Sequence, residues 1–274
     1  MPWASVSAKR TFTSVEKPKS TAELSTIGAV DVSALVRLIQ ANQPCVVLTG
    51  AGVSTESGIP DFRSATGIWA EFDPAEYASL PAFRADPAKV WRFYKPRIEL
   101  LTEAEPNAAH CALAALEQAG FVEAVVTQNI DLLHERAGSR NLVEVHGSIR
   151  TATCPACGSS YARGTVVAKF EHADAPACDS CGAILKPDVV FFGELLPTDA
   201  IERAFELARR ARLLLVVGSS LEVHPVAALP EETLIAGGCV AILNQGPTPY
   251  DGRADLKLEE KAGKVLGAVA DALV

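Results

Sequence analysis

Five short apolar runs constrain the fold of this chain more than any other feature. CVVLTG begins at Cys45, VEAVVTQN at Val122, NLVEVHG at Asn141, LLLVVGSS at Leu213 and CVAILN at Cys239. Most are apolar on successive residues rather than alternate ones. Such a strand is buried on both faces, the pattern of a parallel sheet covered by helices. Helical patterns fill the intervals: one after Asp31 through Val32, Leu35, Val36 and Ile39, others over 107–119 (closed by Gly120), 199–211, after Pro225, and from about Lys261. The alternation predicts an α/β fold with a doubly wound, Rossmann-like parallel sheet. DVVFFGE, from Asp188, reads as a further strand.

Four of the seven cysteines form two pairs, CPAC (Cys154, Cys157) and CDSC (Cys178, Cys181), with twenty residues between them. Two disulfides or a redox pair would use the same residues. Nothing in the sequence indicates an oxidising compartment, however, and a redox pair needs no second copy. The spacing fits a four-thiolate zinc site. Each C-x2-C makes a tight turn, helped by Pro155, Gly158 and Gly182, and a closed set of four sulfurs makes the metal structural. A small zinc-ribbon module is therefore expected at about 149–187, inserted in the α/β domain. Cys45, Cys111 and Cys239 stand alone in apolar stretches and read as core residues.

Composition narrows the class. The apolar fraction of 49% supports a large core, and 274 residues suit one large domain with a small insert. A net charge of −8 argues against a general nucleic-acid binder, and no apolar run has the length of a membrane span. The first 30 residues are polar and Ser/Thr-rich, without the apolar centre of a secretory signal. They read as a disordered tail on a cytoplasmic protein occupying 31–274. Lys9, Arg10, Lys17 and Lys19 leave a mitochondrial leader as the alternative, against which Glu16 and Glu23 count.

Ligands of doubly wound sheets bind beyond the carboxyl ends of the strands, so the polar residues there were read for chemistry. GAGVSTESG (50–58) has Gly50 and Gly52 placed for close approach to a pyrophosphate, with backbone N–H groups nearby. Thr55 stands where a dinucleotide fingerprint has its third glycine, so a plain strand-to-helix turn is also compatible. Gly218, Ser219 and Ser220 make a second small-residue turn, and Asn244 and Gln245 end another strand. Gln128, Asn129 and Asp131 suit a carboxamide and ribose hydroxyls, and His146 is a candidate base. Together these groups suit an extended dinucleotide.

WRFYKPRIEL (91–100) adds a different signal. Trp91, Tyr94, Ile98 and Leu101 repeat at helical spacing, and Arg97 shares one side of that helix with Tyr94. An arginine at an apolar edge either extends its head to water, meets a structural carboxylate, or awaits an acidic ligand. Pro96, between the two, is placed to redirect Arg97.

The motifs GAGVSTESGIPDFRS, TQNIDLLHERAG, VEVHGS, both C-x2-C pairs, KPDVVFFGE and GSSLEVHP occur in one order from about Val32 to the C-terminus. In that combination the chain resembles the sirtuins, the NAD-dependent protein deacylases. The resemblance implies that Gly50, Ala51, Gly52, Ser54 and Thr55 hold the pyrophosphate, with Asp61, Phe62 and Arg63 in the loop that closes over NAD. It places Ile59, Asn129, Ile130 and Asp131 around nicotinamide and Gln128 at the ribose. Gly218, Ser219, Ser220, Asn244, Gln245 and Ala262 surround the adenosine half. His146 is the implied general base, and Asn129 is implied to be catalytic with it. Val190, Phe191, Phe192, Gly193 and Glu194, with Val223 opposite, would receive the backbone of an acyl-lysine protein or peptide by strand addition. The implied products are free lysine, nicotinamide and O-acyl-ADP-ribose, made by a monomer with NAD and zinc. His224 departs from the tyrosine many sirtuins carry there.

In the sirtuin subgroup that removes succinyl and malonyl groups, a Y-x-x-R pair lies in the acyl pocket, and Tyr94 and Arg97 match it. A buried acyl carboxylate needs a partner. Arg supplies a bidentate charged one, Tyr adds a hydrogen bond, and Ala78 leaves room at the pocket floor. The cofactor loop IPDFRSATGIW has the ordinary deacetylase form, so a plain deacetylase is the alternative. Mono-ADP-ribosyl transfer from the same NAD site is another.

Overall fold

The computed structural model describes residues 32–274; the expected N-terminal tail and the Asp31 cap lie outside the described residues. Nine strands are present in this range: β1 (Cys45–Thr49), β2 (Ala124–Thr127), β3 (Leu142–Glu144), β4 (Gly147–Thr153), β5 (Ser160–Ala162), β6 (Lys186–Val189), β7 (Leu213–Val217), β8 (Cys239–Leu243) and β9 (Leu256–Leu258). Six form one sheet in the order β3-β2-β1-β7-β8-β9, and every pairing in it is parallel.

The continuous apolar character of the central strands is explained by two cores, one on each face. Along β1, Cys45 and Val47 point into the first and Val46 and Leu48 into the second, as the two-residue period of a strand requires. The helices Val32–Ala41, Ala108–Gln118 and Ala262–Leu273 cover the first face; Thr198–Arg210 and Leu229–Ile235 cover the second. The doubly wound fold is thus present.

The other strands make a small antiparallel sheet, β5-β4-β6. This corrects the reading of DVVFFGE as one strand. Only its first two residues lie in β6, which belongs to this second sheet. Phe192 instead pairs with a different segment: its N–H donates to the carbonyl of Ala78 and its carbonyl accepts the N–H of Leu80. Gly193 then turns the chain at φ +86°. β9 was not foreseen.

The small sheet shares a third core with the helical region before it. Trp91, fully buried, donates its indole N–H to the carbonyl of Leu185, and Phe83 and Tyr94 pack on Phe191. The helix carrying Tyr94 and Arg97 runs unbroken from Pro87 to Glu103. It is capped by Asp86, whose carboxylate accepts the N–H of Lys89. Pro96 removes one helical donor but does not end the helix.

Candidate active site

All the residues expected at the cofactor and acyl sites line one cavity of about 1250 Å³. It opens at the carboxyl ends of the large sheet's central strands. Two loops interlock at its base. The N–H of Gly52 donates to the carbonyl of Gly218, and the N–H of Gly50 to that of Val217. A Cβ on Gly50 would lie 2.7 Å from the Gly218 carbonyl oxygen, and one on Gly218, at φ +61°, would lie 2.3 Å from the nitrogen of Val53. These glycines are required by contact between the two loops, a constraint separate from any ligand. After Gly50 the chain makes a 3-10 helix, Ala51–Ser57. The Asn107 side chain holds it through the carbonyl of Val53 and the hydroxyl of Ser57.

Behind the cavity lies a directed polar network. The hydroxyl of Ser54, expected near pyrophosphate, donates instead to Asp131 Oδ2 at 2.7 Å. Asp131 Oδ1 accepts the N–H of Leu133. Asn129 Nδ2 donates to the carbonyl of Gly50 and to Ser54 Oγ, at 3.1 and 3.2 Å. Because a carbonyl only accepts, this orientation uses both amide protons and leaves Asn129 Oδ1 as the open acceptor. Ser54 Oγ, its proton given to Asp131, accepts from His110 Nε2 at 3.4 Å, while His110 Nδ1 accepts the N–H of Asn107. Burial lowers the pKa of His110 and keeps it neutral.

A second layer continues below. His134 packs edge-on against His110, with ring centroids 4.8 Å apart, and its Nε2 lies 2.9 Å from Thr49 Oγ1. Thr49 donates to Thr127 Oγ1, which also accepts the N–H of Asn129. Burial pushes the His134 pKa down to about 3. His110, His134, Thr49 and Thr127 were not among the expected site residues. The position of His110 three residues after a capping Asn107 was the available signal.

His146 Nδ1 lies 3.0 Å from the carbonyl oxygen of Gln128. That contact requires a proton on Nδ1 and leaves the Nε2 lone pair free. Desolvation lowers the His146 pKa most, the Gln128 carbonyl raises it, and the Arg63 charge lowers it again. Gln128 in turn donates to Ser219 Oγ, and Asn244 Nδ2 to the carbonyl of Gly246. Arg63 forms an ion pair with Glu222 at 3.2 Å across the cavity mouth. Phe62 packs on Trp69, and Asp61 Oδ1 accepts the N–H of Ser64. The amides, hydroxyls and Asp131 match a carboxamide and ribose hydroxyls, so the donor set fits a dinucleotide.

At the far end, Tyr94 is 8% exposed with its ring 5.5 Å from Phe191. Its hydroxyl lies in low-dielectric surroundings that push its pKa up. The Arg97 guanidinium lies 3.6 Å above Phe93 and 4.8 Å from Phe72, and Nη1 donates to the Phe93 carbonyl at 2.6 Å. Arg97 Nε is buried without a hydrogen-bond partner, and Glu71 acts on the cation through its charge without forming a direct ion pair among the described residues. Burial lowers the Arg97 pKa, and the Tyr94 and Glu71 groups oppose that shift.

The segment from 190 to 194, expected to receive a peptide backbone, is more constrained than strand addition alone requires. The N–H groups of Val190, Phe191, Phe192 and Glu194 are engaged by His146 O, Glu194 Oε2, Ala78 O and Phe191 O. Among the described residues, Gly193 carries the only unengaged N–H between 190 and 194.

The four paired cysteines converge. Their sulfurs lie within 4.8 Å of one another, with Cys154–Cys181 and Cys157–Cys178 both at 3.5 Å. Tetrahedral sulfurs about 2.3 Å from zinc are about 3.8 Å apart, whereas a disulfide needs about 2.05 Å. The two knuckles match in detail: Gly158 N–H donates to Cys154 O and Gly182 N–H to Cys178 O, with both glycines at φ +77°. The cluster fits zinc. Tyr161 bridges it, its hydroxyl 3.3 Å from Cys178 Sγ and accepting the N–H of Asp179 at 2.8 Å.

A parallel α/β sheet with a crevice at its switch point, joined to a tetrathiolate module, defines a dinucleotide-binding enzyme fold. The sequence model of the Sir2 family matches residues 50–225, and the chain belongs to that family. An NAD-dependent protein deacylase from Archaeoglobus fulgidus is 44% identical over 232 residues, covering 85% of this chain and 94% of its own. An NAD-dependent protein deacetylase from Thermotoga maritima is 45% identical over 220 residues, covering 80% and 89%. A solved Sir2 variant with a deacetylated p53 peptide and 3′-O-acetyl ADP ribose superposes with a TM-score of 0.85 at 41% identity, over 88% of this chain and 98% of that one.

Proposed function

We propose that this protein is an NAD-dependent protein-lysine deacylase. It removes an acyl group from a lysine side chain, leaves it on ADP-ribose and releases nicotinamide. NAD supplies the ribose carbon and the hydroxyl that carry the acyl group away. The observation that carries the reading is His146: its Nδ1 is held by the Gln128 carbonyl, and its Nε2 is free in a cavity lined both by Asn129 and Asp131 and by Tyr94 and Arg97. His146 takes a proton at Nε2. Asp131, oriented by Ser54 and the Leu133 N–H, receives the carboxamide, and Asn129 Oδ1 orients a hydroxyl or water. Zinc holds the small sheet whose strands border the peptide segment. The named relatives and the acetylated product in the solved Sir2 complex support this reading.

The acyl group it favours is acidic, of the succinyl or malonyl type. The support is Arg97, whose buried and unpartnered Nε lacks the carboxylate that such a cation calls for. Matched acetyl- and succinyl-lysine peptides, incubated with NAD and followed by mass spectrometry, test this. Succinyl removal should lead and be lost in Arg97→Met, with acetyl removal kept. Faster acetyl removal, with a ratio unchanged by the mutation, would make the chain a plain deacetylase.

A further inference from the structure

We infer that Lys186 is a positioning residue for peptide substrate, acting by closing the turn that presents the Gly193 N–H. The inference rests on the deacylase reading. An ammonium has three N–H donors, and Lys186 Nζ has three oxygen partners: the carbonyls of Pro187 and Val189, at 3.0 and 2.9 Å, and Glu194 Oε2 at 3.0 Å. Nζ also lies 4.2 Å from the centre of the Phe191 ring. Glu194 Oε2 meanwhile accepts the Phe191 N–H at 2.8 Å, and the Glu194 N–H donates to the Phe191 carbonyl at 3.0 Å. The segment from Val189 to Glu194 is thus folded into a turn around one cation.

The two charged side chains are only 18% and 21% exposed, so water does little to screen them. Lys186 does not line the main cavity, whereas Val190 to Glu194 do. It therefore acts through the turn and not by touching the reacting groups. Without the cation, Glu194 holds a largely buried charge with only the Phe191 N–H to balance it. The carboxylate then turns to water and releases the Phe191 N–H. Gly193 loses its fixed direction, and the segment from 190 to 194 loses its one free backbone N–H for an incoming strand.

The test is fluorescence anisotropy of labelled acetyl-lysine and succinyl-lysine peptides, with NAD affinity measured on the same preparations. Lys186→Met should weaken peptide binding about tenfold or more and leave NAD affinity within about twofold. Lys186→Arg, which keeps charge and donors, should stay within about threefold of wild type for peptide. Should Lys186→Met fail to fold, Lys186→Gln carries the same expectation. Unchanged peptide affinity in Met or Gln, or an equal loss for NAD, overturns the inference alone. A wild type that binds neither an acetyl-lysine nor a succinyl-lysine peptide overturns it together with the deacylase reading.

Discussion

The Nδ1 of His146 donates to the carbonyl of Gln128 across 3.0 Å, and this one contact fixes Nε2 as the nitrogen with a free lone pair. Burial first, and the Arg63 charge with it, hold the His146 pKa below its ordinary value of 6.5, which favours the neutral ring that a base requires. Turnover should fall on acidification, with a limb centred below pH 6.5. Arg63→Gln removes a depressing charge, so the kcat/KM limb should move to higher pH. A pH–rate profile of both proteins checks the direction.

Gly218 gives a prediction about the fold. Gly218→Ala puts a methyl 2.3 Å from the Val53 nitrogen at a φ of +61°, against backbone that cannot yield easily. The loss should exceed about 1 kcal/mol from conformation alone, with the contact adding to it. Thermal unfolding should show a lower Tm, and NAD affinity should fall with it, because the two displaced loops both line the cavity.

How legible this was in the sequence follows from how local each signal is. β1, β2, β7 and β8 were readable because both faces of each are buried. β9 was not: Leu256-Lys257-Leu258 is three residues long and paired along one edge. DVVFFGE misled for a related reason. Val189 and Phe191 pack in the third core, but the backbone partners of Phe192, Ala78 and Leu80, lie more than a hundred residues earlier. The cysteine spacing needed no tertiary information. The chain from Thr49 and Thr127 through His134 and His110 to Ser54 did, since it joins five separate segments.

The zinc module should be necessary without being catalytic. Removing the metal with a chelator should abolish turnover by loosening β4 and β6, which continue directly into His146 and Val190. Tyr161→Phe removes the hydroxyl that bridges Cys178 and the Asp179 N–H, and should speed zinc release on the order of tenfold. A colorimetric chelator assay reads that rate directly.

The buried histidines set the acid stability. With its folded pKa near 3 and its unfolded value at 6.5, His134 takes up a proton in the unfolded chain before the folded one. Its contribution is therefore complete above pH 6.5 and is lost as pH falls from 6.5 toward 3. The lowered pKa of His110 acts in the same direction. Urea midpoints should decline through this window, and His134→Gln should flatten the decline.

The most direct test of the account is the product balance of one reaction. Acyl-lysine peptide, NAD and enzyme are incubated, and peptide, nicotinamide and ADP-ribose species are quantified together by mass spectrometry. The account predicts deacylated peptide, nicotinamide and O-acyl-ADP-ribose in equal amounts, with the deacylated peptide and O-acyl-ADP-ribose strongly reduced in His146→Ala. Nicotinamide release with ADP-ribose attached to protein and no deacylated peptide would contradict it.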